Sequence, residues 1–271
     1  MNGFDLPRAL SLLDALGAAA GAGTVHVLER TSSTNDALRR LANGGAPEGT
    51  VVLAEEQSAG RGRLGTAWHS PRGSGLYLSV LFRPPGTAAD ATRFTLLSAV
   101  AACEAARGVG AESVAIKWPN DLLWRGRKVA GTLAELRTSG AVVLELVVGT
   151  GFNVAQGEGD FPPELAGRAA SLRMAAGGPV DRERLFALYV TALLEGGKRL
   201  RAGKWEAVRA RWSALAFAAS GGRVRVLPGR GAPPFEAVTE GIDATGALRV
   251  RDDGGALRTL SLGESLLHLE A

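Results

Sequence analysis

Cysteine is almost missing from this sequence. Cys103 stands alone among 271 residues, so no internal disulfide can form and a reducing compartment is expected. Histidine is nearly as scarce: His26, His69 and His268 share no metal-ligand spacing. That leaves a zinc site or a Cys–His nucleophile without parts, and each histidine reads as a surface or packing residue. Gly197-Lys198 and Gly203-Lys204 lack the first glycine and the hydroxyl of a phosphate loop, and Gly73-Ser-Gly75 is only a fragment of a nucleophile elbow. No run of about 18 apolar residues is free of charge, because Glu104 and Glu145 interrupt the best candidates. The first eight residues lack the basic start and apolar run of a secretion signal, so the expected location is cytoplasmic, away from membranes. With two tyrosines in the whole chain, a base-stacking platform for nucleic acid has little to be built from.

What is present is the composition of an ordinary folded protein, 46% hydrophobic and 21% charged, long enough for one large domain and a small one. The net charge of +4 suits anionic ligands or an acidic protein partner, and is too small to argue nucleic acid. Residues 1–23 read as a short amphipathic helix (7–16) and a linker (17–23). Too few residues precede Thr31 for a helix-turn-helix unit, so no DNA-binding domain and no DNA partner are expected. Thr31-Ser-Ser-Thr-Asn-Asp36 is a cluster of capping residues opening a helix over 37–42. Strands are predicted at 51–54, 76–82, 114–118, 128–136 and 142–148, with helices at 92–107, 182–200 and 205–214. Short links between strands predict an α+β domain over 24–219, its sheet mixed or antiparallel and its helices segregated on one face. After residue 219 short strand candidates alternate with turns such as Pro228-Gly-Arg-Gly231 and Asp252-Asp-Gly-Gly255, predicting a small β-barrel over 220–271.

The stretch Gln57-Ser-Ala-Gly-Arg-Gly-Arg-Leu-Gly-Thr-Ala-Trp68 is the most informative. Gly60, Gly62 and Gly65 let the backbone approach a ligand, and Arg61 and Arg63 offer planar forks of donors to carboxylate or phosphate oxygens. Such a loop is expected to be mobile when empty and to order around an anion; in isolation it reads equally as a solvated connection. A second cluster, Lys117-Trp-Pro-Asn-Asp121 followed by Arg127-Lys-Val-Ala-Gly131, adds Lys117, Asp121 and Lys128. Pro119 holds the preceding residue extended, Asn120 and Asp121 form a turn, and a hairpin into the strand near Lys128 brings Asp121 and Lys128 together. Four cations, Arg61, Arg63, Lys117 and Lys128, balanced by Asp121, suit charge stabilisation at a phosphorus or carboxylate centre better than proton relay. Ser33, Thr34 and Asn35 read first as a helix cap, and alternatively as partners for a neutral polar head group.

In these residues the sequence resembles the biotin protein ligases. The likeness rests on Ser33-Thr-Asn35, Ala54-Glu-Glu-Gln57, Gly60-Arg-Gly-Arg-Leu-Gly65 with Trp68, Lys117-Trp-Pro-Asn-Asp-Leu122, Lys128-Val-Ala-Gly131 and Gly149-Thr-Gly-Phe-Asn153, all in the family order. The resemblance implies a catalytic domain like that of class II aminoacyl-tRNA synthetases and an SH3-like C-terminal barrel. It implies a monofunctional enzyme that uses ATP to make biotinyl-5′-AMP, then passes biotin to a lysine of a biotin carboxyl carrier domain of a carboxylase. By family pattern Ser33, Thr34, Asn35, Gln57, Gly60 and Gly131 surround biotin. Arg61, Gly62 and Arg63 cover its carboxylate and the adenylate, and Lys128 contacts carboxylate or α-phosphate oxygens. Trp68, Lys117, Asn120, Asp121 and Asn153 lie toward nucleotide or acceptor lysine. Mg2+ is expected with the ATP phosphates rather than in a carboxylate cage, and the protein is expected as a monomer or homodimer. Leu64 and Thr66-Ala67 stand where many relatives carry more basic residues, so this loop is less cationic. A lipoate or octanoate ligase or transferase is the enzyme alternative, and a nucleic-acid-binding protein the alternative of another class.

Overall fold

In the computed structural model, residues 3–18, 21–84, 90–140, 142–228, 232–262 and 264–269 are described. Helix α1 (Leu6–Ala15) starts at Asp5, whose carboxylate accepts from the amide of Arg8, and buries Ala9 and Leu13. Strand β1 (Val25–Leu28) leads into α2 (Thr34–Asn43), β2 (Val51–Ala54) and β3 (Gly75–Phe82). A long helix α3 (Asp90–Gly108) then precedes four strands: β4 (Ala115–Lys117), β5 (Asp121–Trp124), β6 (Arg127–Ser139) and β7 (Val142–Asn153). Three helices follow, α4 (Leu172–Ala176), α5 (Arg182–Arg201) and α6 (Trp205–Leu215). Among the described residues no helix is long and apolar enough to cross a membrane.

The seven strands form one sheet in the order β1-β2-β3-β7-β6-β5-β4, with β1 and β2 parallel and every other pair antiparallel. The fold is therefore α+β with a mixed sheet. Strand alternation divides its core. Val51, Leu53, Leu76, Leu78, Val80 and Phe82 point to the face covered by α1, α3, α5 and α6, whereas Val52, Leu81 and Val147 meet Ala37, Leu38 and Ala42 of α2. Segregation of all helices on one face is thus corrected: among the described residues α2 packs on the other, through Ala37, Leu38 and Ala42.

A second, wholly antiparallel sheet follows in the order β11-β10-β9-β8-β12, from β8 (Ser220–Leu227), β9 (Phe235–Ile242), β10 (Leu248–Asp252), β11 (Leu257–Leu260) and β12 (Ser265–His268). Its inward residues Val224, Val226, Leu248 and Val250 join the main hydrophobic cluster. The indoles of Trp205 and Trp118 donate to the carbonyls of Ala244 and Gly246, tying the β9–β10 turn down. The sequence reading misses β1, β5, α4 and β12. Parts of the 17–23 linker (19 and 20) and of the turn at 228–231 (229–231) lie outside the described residues. Gly21 and Gly23 pack back, Gly23 donating to the carbonyl of Gly49.

Candidate active site

Register decides which side chains meet. Across the sheet Tyr77, Gly151, Gly131, Asp121 and Lys117 stand directly opposite one another on β3, β7, β6, β5 and β4. Directly paired residues point to the same face, so this is one row, on the side that carries α2. Charge lies at its β4–β5 end and glycine in its middle. The next row, Ser79, Gly149 and Leu133, runs parallel to it.

At the charged end Lys128 Nζ lies 2.7 Å from Asp121 Oδ1. Regular alternation would send Lys128, three residues before Gly131, to the opposite face. A β-bulge between Leu122 and Leu123 in the β5–β6 pairing shifts the register and returns it. Glycine at 131 permits the pair, since a Cβ there would stand 3.0 Å from Lys128 Cε and 3.2 Å from Asp121 Oδ1. The hairpin expected to bring Asp121 and Lys128 together is present as β5–β6; the placing of Asp121 in the preceding turn is corrected. Residues 118–120 make the turn, with a cis Trp118–Pro119 bond, and Asp121 opens the separate strand β5. Asn120 is buried; its amide donates to the carbonyl of Thr132, and its oxygen accepts from Arg63 at 3.0 Å. Arg63 also donates to the carbonyls of Leu262 and Glu264 from the second sheet. Burial lowers the pKa of Arg63 against the pull of Asp121. Burial likewise lowers that of Lys117; Asp121 opposes the shift, while Lys128 and Arg63 add to it. Lys128 paired with Asp121, Lys117 opposite Asp121 on β4 and Arg63 on the adjacent Asn120 therefore share one neighbourhood.

Arg61 does not join them. Its guanidinium forms a two-pronged pair with Asp36 on the first turn of α2, at 2.6 and 2.8 Å. Bonding to Asp36 raises the pKa of Arg61, and bonding to Arg61 lowers that of Asp36. The 57–70 loop has a fixed course: Ser58 and Ala59 amides donate to the carbonyls of Thr31 and Ser32, Gly62 to that of Thr66, and Trp68 to that of Gly60. Leu64 at its tip is two-thirds exposed with φ +56°, a left-handed backbone unusual for leucine.

Between the charged end and α2 lies a neutral network. Ser33 occupies the cap position of α2, but its side chain makes no capping bond. Gln57 does that work: its carbonyl oxygen accepts from the amide of Thr34 at 2.9 Å and from the Thr34 hydroxyl at 3.2 Å, while its amide donates to Ser70 at 3.0 Å. Ser79 lies within hydrogen-bond distance of both Thr34 Oγ1 and Asn35 Oδ1, and Asn35 donates to Glu135 at 2.5 Å. Gly149 makes room, since a Cβ there would collide with the Asn35 amide; at Gly151 it would collide with the Trp68 indole. Asn35 and Trp68 are consequently neighbours over the glycines of β7. Lys128 Nζ stands 5.2 Å from the Trp68 ring, and Trp68 Nε1 is buried without a hydrogen-bond partner. Gly60 packs against Trp68, Ser70 and Gln57. Asn153 lies deeper, donating to the carbonyls of Ala170 and Lys128.

Sequence reasoning missed Ser79, Glu135 and Asp36 as parts of this site, and it quoted Gly149 and Gly151 only within a motif, with no role for either. Two glycines spaced by two within an apolar strand are the signal that was available, marking a close approach on one face.

Residues 27–153 match the biotin/lipoate A/B protein ligase family. The biotin–[acetyl-CoA-carboxylase] ligase of Paracoccus denitrificans is 36% identical over 239 residues, covering 84% of this chain and 95% of the relative. The bifunctional ligase/repressor BirA of Bacillus subtilis is 34% identical over 231 residues, covering 85% and 70%. Among solved structures, a biotin protein ligase of Aquifex aeolicus in complex with biotin and ATP superposes with a TM-score of 0.76 at 26% identity, covering 91% of this chain and 99% of that one.

Proposed function

Since this chain belongs to the biotin/lipoate A/B protein ligase family, among its biotin protein ligases, we propose that the row across its sheet is where biotin and ATP are joined. The activity is ATP-dependent ligation of biotin. The biotin carboxylate attacks the α-phosphate, forming a C(O)–O–P linkage and expelling pyrophosphate. An acceptor lysine amine then attacks the acyl carbon, an amide forms, and AMP leaves with the bonding pair. The acceptor is a carrier domain of a biotin-dependent carboxylase, a reading supported by the name of the Paracoccus relative.

The observation that carries the site assignment is the gathering of three cations in one place: Lys128 pairs with Asp121, Lys117 stands opposite Asp121 in the strand register, and Arg63 bonds the adjacent Asn120. Two anions repel each other, and the pentacovalent phosphorus gathers more negative charge, so fixed and partly desolvated cations lower that barrier. Lys117 and Arg63 are held there at a solvation cost, which their lowered pKa values record. Beside them, the neutral hydroxyls and amides of Ser33, Thr34, Asn35 and Gln57 suit the ureido group of biotin, which offers donors and an acceptor but no charge. In this reading the Trp68 face takes the nucleotide side, and Asn120 holds Arg63. Asn153, bonded to two carbonyls, is assigned a supporting part behind Lys128 rather than a contact. Asp121 accepts or orients the proton that the acceptor lysine, of ordinary pKa about 10.4, must lose. Among the described residues Asp121 is the carboxylate beside the cations, and one of its oxygens pairs with Lys128. Magnesium belongs to the reading as a companion of the ATP phosphates, and no step depends on it.

Mixing the protein with biotin, ATP and a carrier domain, and weighing the carrier, tests the activity. The expected result is a mass increase of one biotinyl group that requires ATP. Lipoate transfer in place of biotin would overturn the assignment.

A further inference from the structure

Arg61 is the cation that the cluster leaves out, and where it goes is informative. Its two guanidinium nitrogens each bond one oxygen of Asp36, the fork geometry by which arginine takes a carboxylate or phosphate ligand. We propose that Asp36 is a placeholder for the anionic group of the ligand: it holds Arg61 in the empty protein and releases it when the biotin carboxylate or adenylate phosphate arrives. Asp36 is then a positioning residue acting through Arg61. The inference rests on the biotin-ligase reading.

Four features make the exchange easy. Asp36 directly follows Asn35, so the parked guanidinium waits one residue from the neutral network. Both side chains are about a third exposed, 36% and 29%, so water screens the pair and a competing anion can reach it. The Arg61 backbone is fixed by its bridge to Ala67, so only the side chain need swing. Finally, Arg39 lies 3.6 Å from Asp36 and 3.0 Å from Glu135, so Asp36 keeps a cation beside it after Arg61 departs. Arg63 differs: its acceptors are neutral oxygens of Asn120, Leu262 and Glu264.

Calorimetric titration of biotin into the wild type, Asp36→Asn, Arg61→Ala and the double variant tests this. Removing the competitor tightens biotin binding about three- to tenfold in Asp36→Asn, and the gain vanishes when Arg61 is absent, a coupling that a general change of surface charge does not produce. Weaker binding by Asp36→Asn, unchanged binding, or the same gain in the Arg61→Ala background overturns the placeholder while leaving the ligase reading intact. A wild-type protein that takes up no biotin overturns the ligase reading itself.

Discussion

Lys117 is a buried cation among other cations, and its pH behaviour follows. It must be protonated to stabilise the reacting anions, and burial holds its pKa below 10.5. Adenylate formation should therefore decline on the alkaline side at a lower pH than an ordinary lysine would dictate. Lys117→Arg should move that limb upward in a pH–rate profile of pyrophosphate exchange; an unmoved limb would mean another group sets it. Asp121 divides the two half-reactions. Asp121→Asn should slow transfer to carrier more than adenylate formation, and equal losses would count against its role as proton acceptor. Gly149 tests the neutral network: Gly149→Ala drives a methyl into the Asn35 amide. Biotin KM should rise about five- to a hundredfold with a smaller change in ATP KM, since misplacing a hydrogen-bonding group costs roughly 1–3 kcal/mol.

Among elements, strongly patterned ones were legible, down to the four buried residues of β2, and short, partly buried ones were not. The helix expected at 182–200 is α5 to within a residue, because nearly every third or fourth side chain is apolar and buried. Strands β1 and β5 have four residues each and only partial burial, too little for alternation to register. Missing β5 hid the bulge, and with it the reason Lys128 reaches Asp121. The cationic loop and the lysine motif were legible as residues; that Arg61 pairs with α2 was not, because Asp36 read as one of a cluster of capping residues. The buried pair of Arg182 and Glu55 joins α5 to the end of β2, and the same carboxylate accepts from the amide of Phe4. Arg182→Ala strands a carboxylate that is only 4% exposed, so urea unfolding should show a loss of about 3–5 kcal/mol. A loss below about 1 kcal/mol would show that water reaches Glu55.

At the scale of the molecule, the second sheet is part of the site's support rather than an appendage. Its carbonyls at Leu262 and Glu264 hold Arg63, and His268 on β12 packs edge-on against Phe217 with ring centroids 5.0 Å apart. Burial, aided by Lys117, pushes His268 down from 6.5 to about 4. Between those values the unfolded chain binds the proton and the folded one does not, so His268 reduces stability as pH falls through that window. Replacing it with leucine should flatten the fall in urea midpoint between pH 6.5 and 4 relative to wild type. Parallel curves would place the histidine in solvent. The central claim is that one cluster of cations at the end of the row across the main sheet brings two acids together, and the direct measurement is biotin-dependent ATP–pyrophosphate exchange by the wild type and Lys117→Gln, with folding checked by circular dichroism. The account predicts exchange only when biotin is present, and a loss of about a hundredfold or more in the folded variant. Exchange without biotin, or a Lys117→Gln protein as fast as wild type, would contradict it.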